Sequence, residues 1–343
     1  ERESMRHFVI VGILVIVMSV LTYLGLDAAE LMPVAASAQA DPIDWMWNLQ
    51  VIAMSFLFAL IVVPMFYSLI VFRRRKGDTT DAEHIEGNTT LEITWTVIPL
   101  FLVLGFAYLG AVNLSDTLRA DPNAMVVKVT GIQWSWIFEY PPDPETGLVV
   151  VSDELHLLVD RQILLQMTSS DVIHSFWVPE FRVKQDLVPG RITELRITPT
   201  MEGDYKVRCA ELCGTSHAYM EKPVVVSSQG EFDTWMSEQL EKAKEAAATP
   251  EGSGQLLVAA NGCAACHSIN GASGIGPTWS GLFGHEVELT DGTTVITDEE
   301  YLAESIKDPQ AKIVAGFETQ LMPTYGFTDE QIANIVAYIK TLR

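Results

Sequence analysis

The run C-A-E-L-C-G-T-S-H-A-Y-M, residues 209–220, places two thiols, an imidazole and a thioether within twelve positions. Thiolate and thioether sulfurs are soft ligands, and with imidazole they form a set that suits copper. A mononuclear blue-copper site takes one Cys with two His. Two thiolates four residues apart can instead bridge two ions. Each ion then requires a terminal nitrogen, so a second His must join His217 from elsewhere in the domain. His174, in D-V-I-H-S-F-W-V-P at 171–179, is the candidate. Three other readings stay open: a zinc site, although Met220 and this spacing do not suit a zinc finger; a Cys209–Cys213 disulfide; and a Met220 that only fills core.

The chain has four Cys, and the other two lie in C-A-A-C-H, residues 263–267. This is the covalent attachment sequence of c-type haem. Cys263 and Cys266 would form the thioethers and His267 would be the proximal iron ligand. A bare C-x-x-C also suits a redox dithiol or half a zinc site, but the adjoining His argues against both. Beyond His267 the chain offers His285 and Met322 as a sixth ligand. Met322-Pro323 precedes the last helical segment, where a loop can bring it to the distal face; His/Met ligation raises the haem potential. His285 lies in a Gly-rich stretch and reads as a surface residue. Gly276-Pro277 resembles the turn of class I cytochromes c whose carbonyl accepts the His Nδ1 hydrogen bond. Trp279 and Tyr325 are expected to line the crevice.

Outward from the 209–220 run, residues 124–228 read as all-β. Short β-branched and aromatic runs recur at 125–130, 133–140, 147–151, 155–159, 163–168, 192–198 and 204–209, punctuated by Pro and Gly. Such spacing predicts a Greek-key sandwich or barrel. Ser228 with Glu231 then forms a capping box, and Phe232, Trp235, Met236 and Leu240 recur at helical spacing. That helix is expected to stop before Pro250, with Gly252-Ser253-Gly254 completing a linker. It is either a spacer or a helix that docks its Trp face on the sandwich. Residues 255–343 read as helical around a long loop, with helices over 297–305 and 328–342. So short a domain gains apolar area from a covalent haem.

The N-terminal part is different. Phe8–Leu26, Trp45–Phe72 and Ile93–Asn113 are uncharged, each long enough for a bilayer core that takes about 20 residues per helix. Mean hydropathy is +0.21, and no such run recurs after Asn113. Arg73–Lys76 is the dense cationic cluster and should stay cytoplasmic, which puts everything beyond Ser115 on the outer face. Arg2 and Arg6 before an apolar run, with Ala38-Gln39-Ala40 later, also resemble a secretory signal with a cleavage site. That site lies further from the apolar run than is usual, so a retained transmembrane helix over 8–26 is expected. The formal net charge is -22, which keeps the outer domains soluble or attracts a basic redox partner with salt-sensitive on-rates. No nucleic-acid partner is expected.

Beyond single motifs, C-A-E-L-C-G-T-S-H-A-Y-M, H-S-F-W-V-P-E-F-R-V-K-Q-D-L-V-P-G, G-I-Q-W-S-W and L-E-I-T-W-T-V-I-P closely resemble subunit II of haem–copper cytochrome c oxidases. With the haem domain fused, the chain is similar to subunit II of the caa3 type, from about Asp44 to Arg343. The resemblance implies a multidomain membrane protein with transmembrane α-helices, an all-β cupredoxin-like Greek-key domain and an all-α class I cytochrome c domain. The expected parts are an N-terminal segment at 1–40, a transmembrane hairpin at 41–115 (helices about 47–72 and 92–114), a copper domain at 116–228, a helical linker at 229–254 and a cytochrome c domain at 255–343.

The resemblance also implies the dinuclear CuA centre, with Cys209 and Cys213 bridging. His174, His217, Met220 and the Glu211 carbonyl would be terminal ligands. The Glu211 side chain would face a Mg²⁺ or Mn²⁺ shared with subunit I. Trp134 matches the tryptophan through which electrons reach CuA, although Trp134 and Trp136 also read as core aromatics; Ser135 stands where many relatives have Tyr. Glu92 would mark the mouth of a proton channel, against the plainer reading of a carboxylate favoured at a helix start. No catalytic residue is expected in this chain. The implied partners are subunit I (haem a, haem a3 and CuB), subunit III, membrane lipid, and an upstream cytochrome or respiratory complex as donor. The expected location is a bacterial cell membrane, multi-pass. Two alternatives are the small subunit of a CuA-containing nitric oxide reductase and a membrane-anchored copper or electron shuttle.

Overall fold

The computed structural model describes all residues except Glu1, Ala82, Glu83, Ile85, Ser273 and 319–321, with only the backbone for 2–4. The Arg2 side chain, part of the basic flank read from the sequence, therefore lies outside the described residues. The chain divides into two units, Glu1–Ala35 with Gln39–Arg119, and Ala36–Ala38 with Ala120–Arg343.

The first unit consists of α1 (Arg2–Asp27), α2 (Ala40–Val71) and α3 (Thr89–Thr117), three helices long and apolar enough to cross a membrane. α1 and α3 outrun the expected spans at both ends and α2 at its start, because helical hydrogen bonding continues through polar residues past the apolar run. α1 lies along α2, where His7 Nδ1 and Tyr67 Oη are 2.7 Å apart. At the start of α3 the Asn88 side chain accepts from Leu91 N at 3.0 Å, while Glu92 Oε1 accepts from Asn88 N at 3.2 Å. Glu92 thus sits at the helix start as a cap of free backbone donors. α3 buries none of its residues.

The second unit begins with two five-stranded sheets. One runs β3 (Val151–Ser152), β2 (Ser135–Glu139), β1 (Met125–Ile132), β5 (Ile163–Ser169), β8 (Thr193–Ile197). The other runs β4 (Leu155–Leu158), β10 (Glu221–Ser227), β9 (Gly203–Cys209), β6 (His174–Trp177), β7 (Lys184–Leu187). Pairing is antiparallel except β1 with β5 and β4 with β10, the signature of long crossing connections rather than hairpins alone. Strand β5 shows why the sheets face each other: Ile163, Leu165 and Met167 point inward at alternate positions, as a period of two demands. Trp136, Phe138, Phe176 and Phe181 fill the space between. Strands β6, β7 and β10 lie outside the runs read from sequence. They are short, charged or interrupted by Pro223, and so carry little alternation.

Ser228 and Glu231 form the expected reciprocal cap of α4 (Gln229–Ala247). The helix docks on the sandwich: Phe232 is buried, and Trp235 stacks on His156 with ring centroids 3.9 Å apart. Beneath it, Tyr140 Oη accepts from His156 N at 2.6 Å and lies 3.1 Å from His156 O.

The expected Gly-Ser-Gly linker is corrected. Residues 252–254 lie inside α5 (Pro250–Ala260), leaving Ala248-Thr249 as the connection. Thr249 caps the helix by accepting from Gly252 N at 3.1 Å, and Pro250 fits its first turn. Start signals of this strength outweigh two glycines. α5 packs against α7 (Asp329–Thr341) and α6 (Glu299–Lys307) joins them, with Val258, Leu302, Ile306, Ile335, Val336 and Ile339 in the core. A hairpin of β11 (Glu286–Glu288) and β12 (Thr294–Ile296) interrupts what reads from sequence as loop.

Phe232→Ala should destabilise the docked helix by about 3–4 kcal/mol, the cost of emptying a buried aromatic site. Calorimetry of the full chain in detergent would show a lowered β-domain transition, with earlier proteolysis of α4.

Candidate metal and haem sites

Strand β9 ends on Cys209, whose amide donates to Met220 O at 3.1 Å, while Ala210 N donates to Ser175 O at 2.9 Å. These bonds fold the 209–220 loop back onto β6 and β10, so residues far apart on that loop converge. Cys209 Sγ and Cys213 Sγ are 3.7 Å apart, both as free thiols. His174 Nδ1 lies 3.9 Å from Cys209 Sγ, and His217 Nδ1 lies 3.5 Å from Cys213 Sγ. Met220 Sδ is 3.7 Å from Cys213 Sγ, and the Glu211 carbonyl oxygen is 3.2 Å from Cys209 Sγ. All six residues named from the sequence are brought to one place. The Glu211 side chain is exposed.

Two residues not named as functional shape this place. Asp171 Oδ1 bonds His174 Nε2 at 2.8 Å, which turns Nδ1 toward the sulfurs; its signal was its position three residues ahead of the His. Gly131 leaves room for that ring, since a Cβ there would stand 2.9 Å from His174 Cδ2. Nothing in the sequence pattern of β1 pointed to it.

The electrostatics separate the two thiols. Burial raises Cys209, but the His174 ring, the backbone of Ser175 and Glu211 and the Cys213 thiol bring it down to about 6. Burial pushes Cys213 up to about 12, helped by the charge on Cys209. Burial lowers His174, but Asp171 and Cys209 outweigh it and raise the ring to about 9. Two sulfurs, two imidazoles, a thioether and a carbonyl in one buried pocket fit a pair of soft-to-borderline ions.

Trp134 is half-buried, and its Nε1 donates to Cys213 O at 3.1 Å. Trp136 is instead a core residue, edge-on to His174 and Phe176.

In the helical domain, Cys263, Cys266, His267 and Met322 line one crevice enclosing about 1510 Å³, including its open mouth. His267 Nδ1 lies 2.8 Å from Pro277 O. Burial holds the ring below its usual pKa, so the neutral imidazole donates from Nδ1 and leaves Nε2 for a ligand. Trp279 stacks on that ring at 4.8 Å, and Tyr325 also lines the crevice. His285 is exposed and away from it. Paired free thiols, an oriented His and a facing Met fit a covalently attached haem.

Comparison with known proteins finds relatives of all three parts of the chain. Residues 143–229 match the family described as cytochrome c oxidase subunit II, periplasmic domain; 24–110 match its transmembrane domain, and 252–343 match cytochrome c. Cytochrome c oxidase subunit 2 of Synechocystis sp. is 37% identical over 254 residues, covering 60% of this chain and 75% of that one. The subunit 2 of Alkalihalophilus pseudofirmus is 30% identical over 311 residues, covering 88% of each.

The chain belongs to the cytochrome c oxidase subunit II family. It is a component of the oxidase complex, with a fused cytochrome c domain that supports the caa3 type. For a subunit II of this kind, the periplasmic domain implies CuA and the cytochrome domain implies haem c. Membership also implies subunit I as a partner and membrane anchoring with periplasmic domains.

Metal loading of this subunit II should be proton-coupled. With His174 near 9 and Cys213 near 12, both hold protons at neutral pH and must lose them to a metal. Loading should release about two protons, with affinity rising as pH rises. Calorimetric titration in buffers of different ionisation enthalpy would measure this; a pH-independent affinity would contradict it.

Proposed function

We propose that this chain conducts electrons one at a time from its haem-c site to its CuA site. They pass on to haem a of subunit I, where oxygen is reduced to water. The observation that carries this reading is the convergence of Cys209, Cys213, His174, His217, Met220 and the Glu211 carbonyl, beside a crevice built on Cys263, Cys266, His267 and Met322. When bound, copper supplies a one-electron couple spread over two ions, and haem supplies a second couple. The protein's part is positional. Asp171 fixes the His174 ring and Pro277 fixes His267, so little has to move when charge arrives. Fusing the donor replaces a bimolecular encounter with an intramolecular one.

Finer assignments belong to the same proposal. Trp134 bonds the Cys213 carbonyl and is where electrons reach CuA from outside. The exposed Glu211 carboxylate would hold Mg²⁺ or Mn²⁺ with subunit I. Glu92 would feed protons to subunit I besides capping α3. Subunit III, an upstream cytochrome donor, and a multi-pass arrangement with both redox domains on the outer face complete the reading. The -22 formal charge suits a basic donor.

Metal and haem analysis of the full chain in detergent should give two coppers and one haem c per chain, with a near-infrared copper band. Cys213→Ser should abolish that band and spare the haem; two coppers retained in C213S would refute bridging thiolates. In the assembled oxidase, Glu92→Gln should slow oxygen turnover without changing either spectrum. Unchanged turnover would leave Glu92 as a helix cap alone.

A further inference from the structure

The haem crevice and the sulfur-rich pocket share residues. Ile132, Gln133, Ser170 and Asp171 of the β-domain form one wall of the crevice that holds Cys263, Cys266 and His267. The approach is close. Gly262, at φ +66°, would carry a Cβ only 2.9 Å from Ile137 Cδ1, and its left-handed backbone favours glycine just before the haem motif. At the centre of this seam is Gln133. Its carbonyl oxygen lies 4.0 Å from Cys266 Sγ, and its side-chain Nε2 donates to Cys213 O at 2.6 Å. Its backbone N is held by Asp171 Oδ2 at 2.7 Å. The neighbouring Trp134 reaches the same Cys213 carbonyl, but it does not line the crevice.

We propose that Gln133 is the bridge for electron transfer within the chain, separate from Trp134 as the point of input from outside. The proposal rests on the haem-c and CuA reading above. A thioether sulfur has no proton, so Cys266 meets the Gln133 carbonyl as a van der Waals gap. From there the route is covalent through Gln133 to Nε2, then one short hydrogen bond to the Cys213 peptide and its sulfur. When bound, the haem would supply one electron, its iron passing from ferrous to ferric, and the copper pair would accept that electron. No proton has to cross. Gln133 is thus a positioning residue: it supplies the only amide on this wall that touches both redox motifs among the described residues.

The test compares Gln133→Leu with Trp134→Phe in the full-length chain. Copper and haem content of the wild type is measured first. Absence of either centre sinks the underlying reading, whereas loaded protein with unaltered kinetics sinks the bridge alone. Internal haem-to-copper transfer is then followed after flash reduction by a photoactive ruthenium complex. Q133L should slow it severalfold, with spectra and both potentials unchanged, and by more than W134F does. An unaltered rate in Q133L, or a greater loss in W134F than in Q133L, overturns the proposal. Hydrogen exchange over residues 210–217 gives a readout independent of electron transfer. It should quicken in Q133L, since the Cys213 carbonyl then keeps one donor of two; unchanged exchange would also overturn it.

Discussion

Two sulfur atoms held side by side in a buried pocket are the constraint on which the rest of this structure depends. Cys209 owes its place to the end of a strand and Cys213 to the loop beyond. Bringing them within 3.7 Å requires that loop to return on itself. The return is fixed by backbone bonds from Cys209 to Met220 and from Ala210 to Ser175. Those bonds exist only because β6 and β10 flank β9 in one sheet. The Greek-key order of the strands is therefore what makes a two-sulfur site possible, since no local segment could hold it.

Charge is arranged around that pocket with equal economy. A single carboxylate, Asp171, takes the far nitrogen of His174 and the amide of Gln133, and it also faces the haem crevice. Burial would push such a group toward neutrality, but these bonds keep it ionised. On the proposed route, a fixed negative charge between the two sites influences both.

The chemistry was more legible than the architecture. Cys209, Cys213, His217 and Met220 declare themselves by spacing, and Cys263, Cys266 and His267 by a five-residue motif, because ligand sets demand particular side chains. His174 could be named once a second nitrogen was required. The Pro277 carbonyl on His267 was foreseen from the Gly-Pro turn, and the Ser228 capping box from its two residues. What sequence did not disclose were close approaches. Gly131 under His174 and Gln133 between the motifs depend on which strands become neighbours. The 252–254 segment misled because Gly and Ser suggest slack, while Thr249 and Pro250 just before them start a helix. Strands β6, β7 and β10 are set by pairing partners rather than by alternation.

The junction at Ala248-Thr249 has a further meaning. Both flanking helices are anchored, one by Phe232 and Trp235 on the sandwich and the other by its packing on α7. A joint of two residues between anchored rods leaves the cytochrome c domain almost no volume to explore. On the proposed electron route, the protein thereby gives up the freedom of a roaming carrier, which can serve several acceptors, for a donor that serves one acceptor and never has to find it.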